Sequence, residues 1–536
     1  MDDPYININF IPPYKLQFKD DCTYYGARRY CYEPPTFCCA KGQIVLANQE
    51  TPVPLRNLFC AADDLSKHFQ VCVRTYNNTF AFTSMGIHNY ATDLCRRNKG
   101  IYTFKVQGQI YHFINDMLPD GCQTISQETM AYHGTRLDKE VIDVILSTLA
   151  ENPYAKFFHN LRYMNTAEEF SVILKKNPTL DQRVYNMPTA SQVAAIWVED
   201  DGNGVSENRH IRVYAKGGQS QTIQYYYGCY DPLQYPLLFP HGETGWHEGI
   251  EKRNTGQTLM TNEATAHINI TSNTIGSATD LIEAEEEQFT EGLQKKNKVS
   301  SREYYAYKLQ MRPLNETFLL HTGRLLQQFV VDMYVKLETQ RLDYFRQKQT
   351  NQRTSTLNDL EQSIEMGIQF GADVGKRIVL PVTFICGPRN MRRRYMDAMA
   401  LVQRFGKPDL FLTITCDPNW PEIKESLRYA DEVQNRPDLI ARILNGRIHE
   451  LKIDLFQRKI YGEVSAYTYV IEFQKRGSLH AHFLIVLKKH NKIISPTQCD
   501  KIISSEIPNP GQYPELYLKV RVRYDYLYLT LANIQI

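Results

Sequence analysis

The chain lacks any run of about 18 apolar residues, and with it the sequence basis for a membrane-spanning helix. It also lacks the basic and then apolar opening of a secretory leader, since it begins MDDPYININF, so an intracellular location is expected. In that compartment the 12 scattered cysteines read as reduced thiols, with metal binding where they cluster. No sign of charge dominates: 61 Lys and Arg stand against 59 Asp and Glu. A phosphate loop is missing as well. GADVGKR at 371–377 has three residues between its glycines where four are needed, and Arg377 where Ser or Thr should follow the lysine. No nucleotide cofactor and no nucleotide-hydrolysing motor are therefore expected.

What is present describes an ordinary folded protein, with 43% hydrophobic residues and a negative mean hydropathy. Its length of 536 residues allows several cores. The balanced total charge hides a local excess: residues 376–490 hold 20 Lys and Arg against 12 Asp and Glu, while 283–291 is acidic. A local basic surface matters more to phosphate binding than the whole-chain sum. The 35 tyrosines are read first as half-buried strand residues and only second as stacking platforms.

Along the chain, residues 1–70 hold the one cysteine cluster, Cys22, Cys31, Cys38 and Cys39, with Gly26 and Gly42 as turn residues. Residues 71–250 read as an α+β region. Apolar runs such as VCVRTY alternate with turns, 139–174 has helical spacing broken at Pro153, and AAIWVE pairs with HIRVYA across Asp-Gly-Asn-Gly as a hairpin. Residues 251–300 are polar and read as a linker or insertion. Residues 301–375 are helical, with Leu325, Leu326, Phe329, Val330, Met333, Tyr334 and Leu337 on one apolar face. From residue 376 a helix opens with Arg392, Arg393 and Arg394. They cannot share one helical face, so at least one projects outward, toward nucleic-acid backbone or toward solvent. LFLTITCD reads as a buried strand, and Asp417 as a helix cap or an orienting group. A helix over 436–459 and AYTYVIEF follow.

The stretch EFQKRGSLHAHFLIVL at 472–487 carries the chemistry. His480 and His482 lie two apart on an apolar strand, so their imidazoles share a face. A three-residue loop of Arg476, Gly477 and Ser478 would fold Glu472 back opposite His482 on that face, whereas a two-residue loop would turn it away. Two imidazoles and one carboxylate with open positions describe a catalytic divalent-metal site. Leu484, Val486, Phe483 and Ile485 are expected to be buried on both faces.

EFQKRGSLHAH resembles the two-histidine motif of the HUH endonucleases, and of Helitron transposon proteins in particular. The likeness extends to YDPLQYPLLFPHGETGWH from Tyr230, SREYYAYKLQMR from Ser301, the segment from Arg324, and GPRNMRRRYMDAMALVQRFGKPDLFLTITCDPNWPEI from Gly387. The resemblance implies an HUH-type antiparallel sheet flanked by helices over 376–517, in a multi-domain α+β chain with a divergent tail at 518–536. It implies Mg or Mn held by His480, His482 and Glu472, and single-stranded DNA at transposon ends as the partner. Lys475, Arg476, Arg392, Arg393 and Arg394 would contact the DNA, in a nuclear setting. It further implies nicking and joining by a tyrosine that forms a covalent 5′-phosphotyrosine. The family's nucleophilic tyrosines lie four apart on a downstream helix, but Tyr524, Tyr526 and Tyr528 alternate here as on a strand. None is assigned, and a truncated element inactive on its own is expected; the alternative is a non-catalytic DNA-binding remnant with a structural or empty metal site. In relatives the first region resembles a zinc module opened by a Cys-x-x-Cys pair. Tyr25 stands at the second position here, so a zinc site is either rebuilt around Cys31 or lost.

Overall fold

Local signals set most helix starts. The computed structural model describes residues 15–46, 49–90, 106–114, 137–161, 170–175, 194–198, 210–214, 221–253, 297–312, 318–348, 380–428, 431–473, 479–500, 507–514 and 517–518. The chain opens with strands β1 (Phe18–Lys19) and β2 (Arg29–Tyr30), then α1 (Val53–Cys60), with a proline in its first turn. In α2 (Asp64–Phe80) the Asp63 carboxylate accepts the Ser66 N–H. Next come β3 (Ser84–Tyr90), β4 (Val106–Ile114), α3 (Lys139–Leu149), α4 (Pro153–Leu161), β5 (Phe170–Lys175), β6 (Ala194–Val198), β7 (His210–Tyr214), β8 (Gln221–Ile223) and α5 (Tyr230–Gln234). A capping box of Ser300 and Glu303 starts α6 (Ser301–Lys308), and a 3-10 turn (Phe318–His321) precedes α7 (Arg324–Lys348). The remainder is α8 (Pro388–Phe405), β9 (Leu410–Thr415), α9 (Pro421–Ser426), α10 (Pro437–Phe456), β10 (Val464–Phe473), β11 (Leu479–Leu487) and α11 (Pro496–Asp500).

The α+β expectation holds, with local corrections. VCVRTY lies inside α2, and the helical stretch expected over 139–174 ends in a strand, β5. The expected hairpin of AAIWVE with HIRVYA does not form, because β5 inserts between β6 and β7 and pairs antiparallel with both. Local adjacency suggested the pairing, and a strand from further upstream took it. Residues 254–296, and with them most of the expected linker, lie outside the described residues.

Two apolar clusters organise the rest. The first joins α1, α2 and α3 to α5, α6 and α7 through Leu55, Phe69, Val141, Ile145, Leu233 and Phe329. Inside it sits an ionic network: Lys336 Nζ is 3.0 Å from Asp231 Oδ1 and 2.7 Å from the Tyr305 hydroxyl, while Asp332 accepts from Tyr230 and Tyr235. A charge so buried persists only when paired and hydrogen-bonded, as Lys336 and Asp231 are.

The second cluster packs α10 against one face of the sheet β10-β11-β9. Leu439, Ile443, Leu444 and Ile448 of α10 meet Ala481, Phe483 and Ile485 of the central strand. Each Leu, Ile or Phe side chain among them contributes on the order of 1.5–3 kcal/mol by burial. The opposite face is only partly covered: His480 and Val486 are buried there but Leu484 is part exposed, and β9 alternates between the two faces, so neither strand is buried throughout.

Parts of the N-terminal segment join this second cluster although some 400 positions separate them from it. Leu16 and Tyr30 are buried there. Glu33 receives a two-point ion pair from Arg442, at 2.6 and 2.8 Å, the Leu16 N–H reaches Glu422 at 2.6 Å, and Tyr32 reaches Glu450 at 2.6 Å. Gly446, midway along α10, makes room for this strap: a Cβ there would lie 2.7 Å from both terminal methyls of Leu16. Gly to Ala inside a helix normally stabilises by about 0.5–1 kcal/mol. Here the contact reverses the sign, and Gly446→Ala should cost about 1–3 kcal/mol in chemical denaturation. Adding Leu16→Ala should relieve part of that cost, and strict additivity of the two would show that the methyls are not the obstacle.

Candidate functional site on the open face of the sheet

Antiparallel pairing fixes which side chains meet on the more open face. In register, His480 faces Thr415 and His482 faces Thr413 on β9, while Glu472 faces His480 and Val470 faces His482 on β10. Phe411 and Leu484 continue the row. The loop therefore differs from the expected one. Phe473 pairs with Leu479, five residues separate them, and Glu472 lies opposite His480, not His482. A shift of two positions keeps the face, so the carboxylate still reaches the pair, with Glu472 Oε2 3.4 Å from His482 Nε2.

The threonines were not foreseen, and they set the imidazoles. Thr415 Oγ1 lies 2.8 Å from His480 Nδ1, and Thr413 Oγ1 lies 2.8 Å from His482 Nδ1. Either group can donate in these bonds; the tautomer in which Nδ1 donates to the hydroxyl leaves Nε2 with the free lone pair that metal ligation requires. His480 Nε2 is buried and has no hydrogen-bond partner among the described residues. Burial, reinforced by His482 alongside and opposed by Glu472, holds the His480 pKa below the usual imidazole value, which favours the neutral ligand form. The one sequence signal was the matched alternation of Thr-x-Thr with His-x-His, legible only once β9 and β11 are known to pair.

The donor set, two neutral imidazoles and a carboxylate, suits a divalent cation, and the orphaned Nε2 is the kind of atom one would satisfy. The spacing is open. The two rings are parallel within 6° with centroids 6.3 Å apart, and these three residues do not bring their ligand atoms within 4.8 Å of one another. Bonds of about 2.1 Å place two nitrogens of one ion no more than about 4 Å apart, so a side-chain rotation must accompany binding.

A tighter convergence lies in the strap region. Cys22, Cys38 and Cys39 are buried and bring their sulfurs within 4.8 Å of one another, a group that could hold a metal ion such as zinc. The Cys22–Cys39 and Cys38–Cys39 sulfur separations are 3.7 and 3.8 Å. That is far from a bond, and it matches the edge of a tetrahedron with Zn–S near 2.3 Å, about 3.8 Å. Ala40, Lys41 and Gly42 all take left-handed φ, curling the chain so that the Gly42 N–H points at Cys39 Sγ, 3.2 Å away. Hydrogen bonding between the two neighbouring thiols lowers the Cys38 pKa and raises that of Cys39. Cys31 does not join it, and the rebuilding around that residue is not what forms: its N–H bonds to Gln17 and its side chain packs on the second core. Tyr25 donates to the Cys38 carbonyl instead of acting as a ligand.

Other expected contacts separate from the histidines. Arg392, Arg393 and Arg394 are exposed on α8, which lies against β10; Arg393 is 3.8 Å from Asp397 and Arg394 donates to Asn390. Lys475, Arg476 and Tyr524, Tyr526 and Tyr528 lie outside the described residues. Asp417 does not cap α9; it accepts the Asn419 N–H in the preceding turn. Among the described residues, no helix is long and apolar enough to cross a membrane.

Residues 304–485 match the family model described as "Helitron helicase-like domain at N-terminus". No curated protein matches the chain.

Two predictions follow from these geometries. Thr415→Val and Thr413→Val should each weaken divalent-metal binding about 10–100-fold by freeing an imidazole, as measured by calorimetry; unchanged affinity would disconnect the threonines from ligation. Purified protein should carry zinc that is lost in Cys38→Ser and retained in Cys31→Ser, as read by elemental analysis. Equal zinc in both variants would count against the cluster.

Proposed function

Taking the Helitron helicase-like domain across residues 304–485 as the premise, we propose that this chain holds the single strand and the divalent metal for nicking and joining at transposon ends, with the open sheet face as its site and none of its own tyrosines assigned as nucleophile. The observation that carries the reading is the threonine-held imidazole pair beside Glu472, with a buried Nε2 left unsatisfied. His480, His482 and Glu472 would hold the cation, Mg or Mn, which when bound supplies Lewis-acid polarisation of the scissile phosphate. Thr413 and Thr415 keep the Nδ1 protons. The exposed arginines of α8 offer charge to phosphates approaching across β10. Such a site corresponds to an HUH-type sheet with its histidines on the central strand.

The nucleophile in this reading is a tyrosine that becomes esterified to the 5′ phosphate while the 3′ hydroxyl leaves, conserving the bond for rejoining. Tyr467 and Tyr469 on β10 do not serve, since they pair opposite Ile485 and Phe483 on the covered face. The 6.3 Å separation of the imidazoles favours a second reading, a DNA-binding remnant whose histidines hold no ion.

A labelled single-stranded oligonucleotide, incubated with the protein and Mn²⁺ and run on a denaturing gel, separates the two. Nicking predicts a cleaved strand and a protein-bound product that are lost at least 100-fold in His480→Ala and in His482→Ala. Binding with no cleavage, and Mn²⁺ affinity equal in wild type and in the variant combining His480→Ala with His482→Ala, would replace the first reading with the second.

A further inference from the structure

The residue after Leu410 is anomalous for an apolar side chain in a sheet. Phe411 is 67% exposed, with Leu484 opposite it 37% and Val470 54% exposed. Its ring is not loose. It stacks on His482 at 5.4 Å with 11° between planes, and His482 stacks in turn on His480, so three near-parallel rings run along the open face. The hydrogen bond between Thr413 and His482 fixes the middle ring and thereby the orientation of the outer one. Among the described residues β9 pairs only with β11 and so stands at an edge, and LFLTIT carries none of the charges that commonly protect an edge.

We propose that Phe411 is a stacking platform for one base of the bound strand, which sets the register of the phosphate beside His480 and His482. This rests on the reading of the open face as a single-strand site. The occupant follows from the layout of charge. The exposed Arg392, Arg393 and Arg394 lie on α8, against β10, among the exposed Met391, Tyr395 and Met396, and three adjacent guanidinium groups suit a phosphate backbone better than an apolar protein face. Adjacent strands are about 4.8 Å apart, so some 10 Å of sheet separates β9 from β10. A single strand crossing that width can place an apolar base face on Phe411 while its backbone runs toward the basic helix. Stacking on an aromatic face tolerates any base, so the platform sets position without reading sequence.

The test measures binding without metal, in EDTA, to a short single-stranded oligonucleotide and to copies carrying one abasic position each. Phe411→Ala should weaken binding about 5–100-fold, and Phe411→Trp should restore it, with indole fluorescence quenched on addition of the oligonucleotide. In wild type, one abasic position should reproduce the loss; in Phe411→Ala that same position should cost nothing further. Equal affinity of Phe411→Ala and wild type, or an undiminished abasic penalty in the variant, would overturn the platform while leaving single-strand binding intact. A wild-type dimer in the absence of DNA that Phe411→Ala dissolves, with DNA affinity unchanged, would assign the ring to a second copy of the chain instead. Absence of single-strand binding by wild type would overturn both this inference and the reading beneath it. Because Phe411 projects outward, melting of Phe411→Ala should match wild type, which separates lost binding from lost folding.

Discussion

The registration of β11 against its neighbours governs the open face. Side chains alternate along a strand, so a slip of one residue would turn His480 and His482 into the core and expose Phe483 and Ile485. That core, built by α10 against Ala481, Phe483 and Ile485, is what forbids the slip. The same register sets two threonine hydroxyls against two imidazoles and a carboxylate beside them. The polar site is thus held by apolar packing on the reverse side of the same strand, and its precision is inherited from a helix that touches none of its polar atoms.

Much of this was legible from the strand period alone. His-x-His on an apolar strand predicted a shared face, and parity was enough to bring Glu472 to it even though the loop proved longer than expected. The threonines were not legible because their pairing joins positions 65 and 69 residues apart, and nothing local in LFLTIT marks which strand it will meet. The failed hairpin of β6 with β7 has the same cause: each strand satisfied its ladder with β5 rather than with its nearest neighbour in sequence. In the cysteine cluster, composition named the residue type but not the members. Backbone direction divided them, since Cys31 follows β2 toward the second core while the left-handed turn after Cys39 gathers the other three.

Residues 15–46 therefore serve two structures at once. Leu16 and Tyr30 are buried with the sheet and α10, whereas Cys22, Cys38 and Cys39 are buried with α1 and α2. An ion among the three sulfurs would clasp a short irregular segment that has little secondary structure of its own, where a cross-link replaces ladder hydrogen bonds as the source of rigidity. The segment couples the two cores through covalent continuity, and the Lys336 and Asp231 network rigidifies the helices on its far side.

The ion pair of Glu33 with Arg442 spans 409 positions of sequence. Translation at about 5–20 residues per second therefore leaves the strap without its seat for roughly 20–80 seconds. Throughout that interval Leu16 and Tyr30 are apolar groups with no core to enter, and the first cluster can assemble around α1 and α2 before the sheet exists. The order of synthesis makes the open-face site the last part of this fold to become rigid, and the nascent chain is exposed to chaperones, to proteolysis and to mispairing of an uncharged edge strand until α10 arrives.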